Sequence, residues 1–176
     1  PSESDYQALL SSPDEKTLIG TVIVLHGNAG AASDRLSYAR DIAPLGYRVL
    51  LQEYPGYGAR PGSPTEESLV ESAVEWLAEA ENRFGRPIYV VGESLGAGVA
   101  AALAKKNPSS IDGVILATPW DSLPNLAQRR FWMLPARLLV SDVFDSVANM
   151  DSFEGPVGVI MAENDEVIPA ALTMRL

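Results

Sequence analysis

The chain has 176 residues, 47% hydrophobic and 20% charged, a balance that suits one globular domain with one core. A net charge of −10 leaves no basic stripe to follow a phosphate backbone and so excludes nucleic acid as a partner. Zero cysteines exclude disulfides and thiol chemistry, and a single histidine does not make a zinc site, so no cofactor or metal is expected.

The longest apolar runs, such as 21–25 and 113–117, are strand-sized and too short to cross a bilayer. No secretory leader is visible, although the chain opens on Pro1 and not on Met. The expectation from the visible residues is a cytoplasmic protein.

Residues 20–25 form a β-branched run that breaks into His26, Gly27, Asn28, Ala29 and Gly30, which predicts a buried strand followed by a loop. A short helix follows, with Ser33 as its cap, Asp34 in its first turn and Gly46 at its close. Residues 47–52 read as a second strand, followed by the glycine-rich loop 54–58. Ser63, Pro64, Thr65 and Glu66 predict the start of a long helix, with serine as cap and glutamate completing a capping box. Its buried face is Leu69, Ala73, Trp76, Leu77 and Ala80. Residues 87–91 are a third strand, and 95–106 a helix of small residues that stops before Pro108. Strands at 112–117 and 156–162 flank a long, partly helical stretch at 118–155. Strand alternating with helix predicts an α/β fold, a mostly parallel sheet covered by helices on both faces.

Gly92, Glu93, Ser94, Leu95 and Gly96 match G-x-S-x-G between a predicted strand and a predicted helix. That setting is the one a nucleophile elbow needs. Side chains at 92 or 96 would strike neighbouring backbone, and Ser94 would project over the sheet's end near a helix N-terminus. The bland alternative is a serine capping a closely packed helix. The overlapping G-x-G-x-x-A at 96–101 resembles a dinucleotide fingerprint, but its first glycine lies well past the strand end. Close packing of helix on sheet explains these small residues better.

Acyl transfer needs two backbone N–H groups aimed at the oxyanion, and Leu95, just after the serine, supplies one. Asn28 is the choice for the second, with Ala29 close behind. His26 invites the role of base, but a histidine at this strand end more often orders the loop by hydrogen bonds. Asp165, directly after the last predicted strand, is the candidate acid. A helix-capping role before Pro169 is its alternative, and Asp121 is the runner-up. Trp120, Phe131 and Trp132 belong to an apolar cluster between the fourth and fifth strands. They serve either as an acyl or alkyl pocket for a small-molecule ester or as ordinary helix-to-sheet packing. Mixed charges disfavour contact of this cluster with a membrane surface.

Several motifs together give a more specific signal. L-H-G-N-A-G at 25–30, E-Y-P-G-Y-G at 53–58, G-S-P-T-E-E at 62–67, G-E-S-L-G-A at 92–97 and N-D-E-V-I-P at 164–169 resemble the Bem46-like branch of the α/β-hydrolase superfamily. The resemblance covers nearly the whole chain. It implies an eight-stranded hydrolase fold with a cap inserted at about 118–155, a Ser–Asp–His triad, no cofactor, and action on carboxylic esters or related acyl bonds. Thioesterase or peptidase activity would use the same parts, and a non-catalytic binding member would carry a damaged elbow or acid. Pro55 stands where an arginine is common in that branch. Triads of this fold run serine, acid, histidine along the chain, and residues 166–176 contain no histidine. The expectation is therefore a fragment that is inactive alone, lacks its last strand and catalytic histidine loop, and carries an uncovered sheet edge prone to aggregation.

Overall fold

The computed structural model describes residues 7–8, 18–130, 142–161 and 173–174. The apolar runs become the strands of one sheet: β2 (Gly20–Leu25), β3 (Tyr47–Gln52), β4 (Ile88–Glu93), β5 (Gly113–Ala117) and β6 (Val157–Ile160). A two-residue strand, β1 (Gln7–Ala8), pairs antiparallel with β3. It is too short to carry a periodicity and has no signal in the sequence. The order is β1-β3-β2-β4-β5-β6, and β2 to β6 are parallel. The predicted α/β architecture is the one observed.

Alternate residues of the same strands serve opposite faces, as pleating requires. Ile23, Leu25, Leu50, Ile88, Val90, Val114 and Leu116 join the larger core, under α2 (Glu66–Phe84) and α3 (Leu95–Lys106). Val22, Val24, Val49, Leu51 and Val91 face the other way, towards α1 (Leu36–Ile42) with its buried Ala39. All five residues predicted for the buried face of α2 are buried. In α3 every residue from Leu95 to Ala104 is buried, which explains its alanines and glycines: the helix lies too close to the sheet for bulk.

Two helix starts differ from expectation. The turn after the first loop is a 3-10 helix at Ala32–Arg35 capped by Ala31, not by Ser33. Asp34 provides the side-chain contact instead, its carboxylate accepting from the Ala31 N–H at 2.8 Å. For α2 the cap is Thr65 and not Ser63. Thr65 and Ser68 exchange side-chain-to-backbone hydrogen bonds at 3.1 and 3.2 Å, so the capping box sits two residues further on. Glu66 is thereby released to accept the N–H groups of Val143 and Phe144 at 2.7 and 3.1 Å. Gly46 behaves as predicted, closing its segment in the left-handed conformation at φ +91°.

The stretch between β5 and β6 contains α4 (Leu123–Arg130) and α5 (Ser146–Met150). Phe144 drives inward there, and its ring fills the space beside Gly98 of α3. Among the described residues β6 is the sheet's edge, with Val157, Val159 and Ile160 exposed.

Candidate active site

Topology alone marks one crevice. The connection leaving β2 runs to β3 on one side, and the connection leaving β4 runs to β5 on the other. Adjacent parallel strands whose exits diverge open a cleft at their carboxyl ends, where α/β proteins bind ligands. His26 to Gly30 leave the end of β2, and Ser94 leaves the end of β4.

Ser94 stands between β4 and α3 at φ +52° and ψ −111°, a conformation that a residue with a Cβ adopts at a cost. Its N–H donates to the carbonyl of Ala117 at 2.9 Å and its own carbonyl accepts from Ala97 at 2.9 Å, so the turn is held from both sides. The flanking glycines are required by backbone proximity. A Cβ at Gly96 would come closer than 3.0 Å to the Leu25 and His26 carbonyl oxygens, and one at Gly92 would strike Gly96 and Ala97. The serine is half-buried, and Leu95 after it opens the first turn of α3, where N–H groups have no acceptor within the helix.

The facing loop is built as tightly. A Cβ at Gly27 would lie 3.4 Å from Ser94 Cβ and from the carboxylate of Glu93. At Gly30, with φ +90°, a side chain would collide with Asp34. Asn28 is exposed, and the Tyr57 hydroxyl donates to its side-chain oxygen. His26 is buried, its Nδ1 lying 2.7 Å from the Gly27 carbonyl and its Nε2 3.0 Å from Glu53 Oε1. The other oxygen of Glu53 accepts from the Ala32 N–H at 3.2 Å. The His26 ring packs on Tyr54 and Tyr57, at centroid distances of 4.5 and 5.2 Å. Burial, reinforced by Tyr57, Glu53 and Glu93 nearby, holds the Tyr54 hydroxyl protonated well above the ordinary tyrosine range. Both ring nitrogens of His26 are thus committed to the support of the loop.

From the other side Arg35 grips Glu93 with two nitrogens, at 2.8 and 2.7 Å. The hydrogen bond to Glu93 raises the Arg35 pKa further. Arg35 has no sequence signal beyond its place just after the loop. Glu93 and Glu53 lay inside quoted motifs, but their partners came from other elements and were not legible there.

The remaining candidates divide. Trp120 is buried in the larger core cluster, which also contains Leu95. Asp121 is buried, and its oxygens accept from the Ser122 N–H at 2.7 Å and from Asn125 at 2.8 Å, both at the start of α4. Asp165, Phe131 and Trp132 lie outside the described residues.

Comparison with known proteins adds the family. A family model described as the alpha/beta hydrolase fold matches residues 20–170. An uncharacterized protein of Mycobacterium tuberculosis is 38% identical over 158 residues, covering 88% of this chain and 56% of its own length. The lysophosphatidylserine lipase ABHD12 of Danio rerio is 29% identical over 88% of this chain and 46% of its own. Protein bem46 of Schizosaccharomyces pombe is 31% identical over 85% of this chain and 52% of its own. Among solved structures, Est1E of Butyrivibrio proteoclasticus with bound ferulic acid superposes with a TM-score of 0.75 at 16% identity, over 97% of this chain and 81% of its own. The chain spans about half the length of the curated relatives it matches. No helix among the described residues is long and apolar enough to cross a membrane.

Proposed function

The chain belongs to the α/β-hydrolase family, and on that footing we propose that it is the core of a serine hydrolase that cleaves carboxylic esters through an acyl-enzyme. The observation that carries this reading is Ser94, held at φ +52° between two glycines over the crevice of the topological switch. Such strain persists only where the surroundings impose it, and it is concentrated where a side chain must be aimed.

In this reading Ser94 Oγ attacks the ester carbonyl while its proton passes to a histidine base. The N–H groups of Leu95 and Asn28 hold the carbonyl oxygen as it takes up negative charge. The tetrahedral species expels the alcohol, which takes the proton from the histidine and leaves the acyl group on Ser94. Water, giving its proton to the same histidine, then releases the carboxylic acid and restores the serine. Asp165 orients the base. His26 is not that base, because its nitrogens are engaged with Gly27 and Glu53. The chain order of such triads puts the base after Asp165, and residues 166–176 contain no histidine. The lipase name of one relative, ABHD12 of Danio rerio, favours an ester with an apolar group. Phe131, Trp132 and Trp120 are proposed to receive it, with thioesters and peptides as comparison substrates.

The test uses the full-length protein with a fluorophosphonate probe and p-nitrophenyl acetate. Ser94→Ala removes the label and lowers kcat by about 10⁶, by analogy with triad deletions, while circular dichroism stays unchanged. Asp165→Asn costs about 10⁴ in kcat, since the histidine loses its orienting anion. Asp121→Asn costs far less, because that carboxylate is engaged at the start of α4. Turnover surviving in Ser94→Ala refutes the assignment. A folded wild type that neither labels nor turns over is a non-catalytic member of the family.

A further inference from the structure

Glu93 immediately precedes the candidate nucleophile, and its carboxylate does not face open solvent. Arg35 Nε donates to Oε2 at 2.8 Å and Nη2 to Oε1 at 2.7 Å, with side-chain exposures of 19% for Arg35 and 28% for Glu93. The same Nη2 reaches the carbonyl of Ala29 at 3.4 Å, in the loop that supplies the second N–H group. Glu93 Oε1 also lies where a Cβ at Gly27 would approach it to 3.4 Å. One guanidinium therefore spans from the turn that carries Ser94 to the loop that faces it. Burial and the neighbouring Glu93 raise the Tyr38 pKa above the ordinary tyrosine value.

We propose that Arg35 and Glu93 form a positioning clamp, which sets the separation of Ser94 from the 27–30 loop and neutralises the charge beside the serine. The inference rests on the serine-hydrolase reading and adds to it two residues that touch no reacting atom. Its physical basis is twofold. Acyl transfer is steep in geometry, and a misplacement of about 1 Å costs about 10²-fold. A bare carboxylate one residue from the nucleophile would also oppose the oxyanion that the loop must stabilise. The planar fork of arginine makes both contacts at once, which a lysine ammonium cannot.

The charge component makes the clamp distinguishable from a merely structural ion pair. Arg35→Ala leaves the carboxylate of Glu93 unpaired, whereas Glu93→Gln removes the charge and keeps the shape. In the full-length protein with p-nitrophenyl acetate, Arg35→Ala should lower kcat about 10- to 100-fold with KM within about threefold of wild type. Glu93→Gln should lower it less. The Arg35→Ala/Glu93→Gln double variant should return towards the Glu93→Gln value and not multiply the two losses. Should Arg35→Ala fail to fold, Arg35→Lys takes its place and should show a smaller loss of kcat in the same direction, wild-type kcat again overturning the clamp. Amide hydrogen exchange at residues 28–31 gives a readout that needs no turnover, and it should quicken about tenfold or more in Arg35→Ala. Wild-type kcat in Arg35→Ala, multiplicative losses in the double variant, or unchanged exchange in the loop overturns the clamp. Failure of the hydrolase reading looks different: turnover equal in wild type and Ser94→Ala, with the exchange result still deciding whether the clamp orders the loop.

Discussion

The central strands are closed at both ends by an arginine that grips a carboxylate through two nitrogens, and the two ends differ in what the grip holds. At the carboxyl ends Arg35 binds Glu93 beside Ser94, whose φ is +52°, and beside a loop packed to backbone contact. At the amino ends Arg86 binds Asp112 at 2.7 and 3.2 Å and also donates to the Ser109 carbonyl. Asp112 in turn accepts the N–H of Ile88 at 2.7 Å, so the pair pins the start of β4 to the approach of β5. Arg86 and Asp112 stand in the bends just before β4 and β5, and Ile88 is the first residue of β4. The lower clasp extends a ladder that would exist without it, whereas the upper one ties the turn at Ser94 to a loop outside the ladder. Near-identical ion-pair geometry thus secures alignment at one end and aim at the other.

The contrast breaks most visibly at glycine. Gly96→Ala puts a methyl against the Leu25 and His26 carbonyl oxygens, which are backbone and cannot step aside. That variant should lose more than about 3 kcal/mol of stability or fail to fold, because the collision displaces the end of β2 and the start of α3 together. At the lower end Gly20→Ala meets the Pro87 carbonyl at 2.9 Å and the Pro87 ring at 3.1 Å, a milder crowding. It should cost about 1 kcal/mol, measured by urea denaturation beside Gly96→Ala. Equal losses would erase the distinction between the ends.

A second change at the upper end should move stability the opposite way. Glycine adopts φ +52° without a Cβ penalty, so Ser94→Gly relieves strain of about 1–3 kcal/mol and returns part of it as unfolded-state entropy. The net expectation is a gain of about 1 kcal/mol, read from the urea midpoint, together with complete loss of turnover. A destabilised Ser94→Gly would mean that the serine is not strained.

How much of this was legible in the sequence follows from the range of each interaction. Strand and helix runs are local, so β2 to β6 and α2 and α3 were read within a residue or two. The glycines at 92 and 96 were legible because G-x-S-x-G encodes a steric need within five residues. Caps were less so: Ser63 and Thr65 both begin plausible boxes, and the later one leaves Glu66 to accept the N–H groups of Val143 and Phe144, 77 positions and more away. The clasps were illegible, because Arg35 and Glu93 are 58 positions apart and no periodicity links them. Asp165, Phe131 and Trp132 lie outside the described residues, so the acid rests on its motif and most of the pocket on the apolar cluster in the sequence.

The smallest effect is expected at the lower clasp, where it titrates. The hydrogen bonds from Arg86, reinforced by the Ile88 N–H, hold the Asp112 carboxyl below the ordinary aspartate value of 3.8. A carboxylate depressed in the folded state contributes stability that is present above the unfolded value and is lost as pH falls through the folded one. Asp112→Asn removes that contribution. At pH 7 the variant should melt about 2–4 °C below wild type, the size of one part-exposed, solvent-screened ion pair in a domain of this length. The gap should stay constant down to about pH 4 and close as the wild-type carboxyl itself protonates. Thermal melts of both proteins from pH 7 to about pH 2.5 test this, and a gap that widens with acid would show that Asp112 is not stabilised in its charged form. Because the lower clasp sits at the opposite end of the sheet from Ser94, kcat at pH 7 should not change in this variant, whereas at Arg35 it should change first.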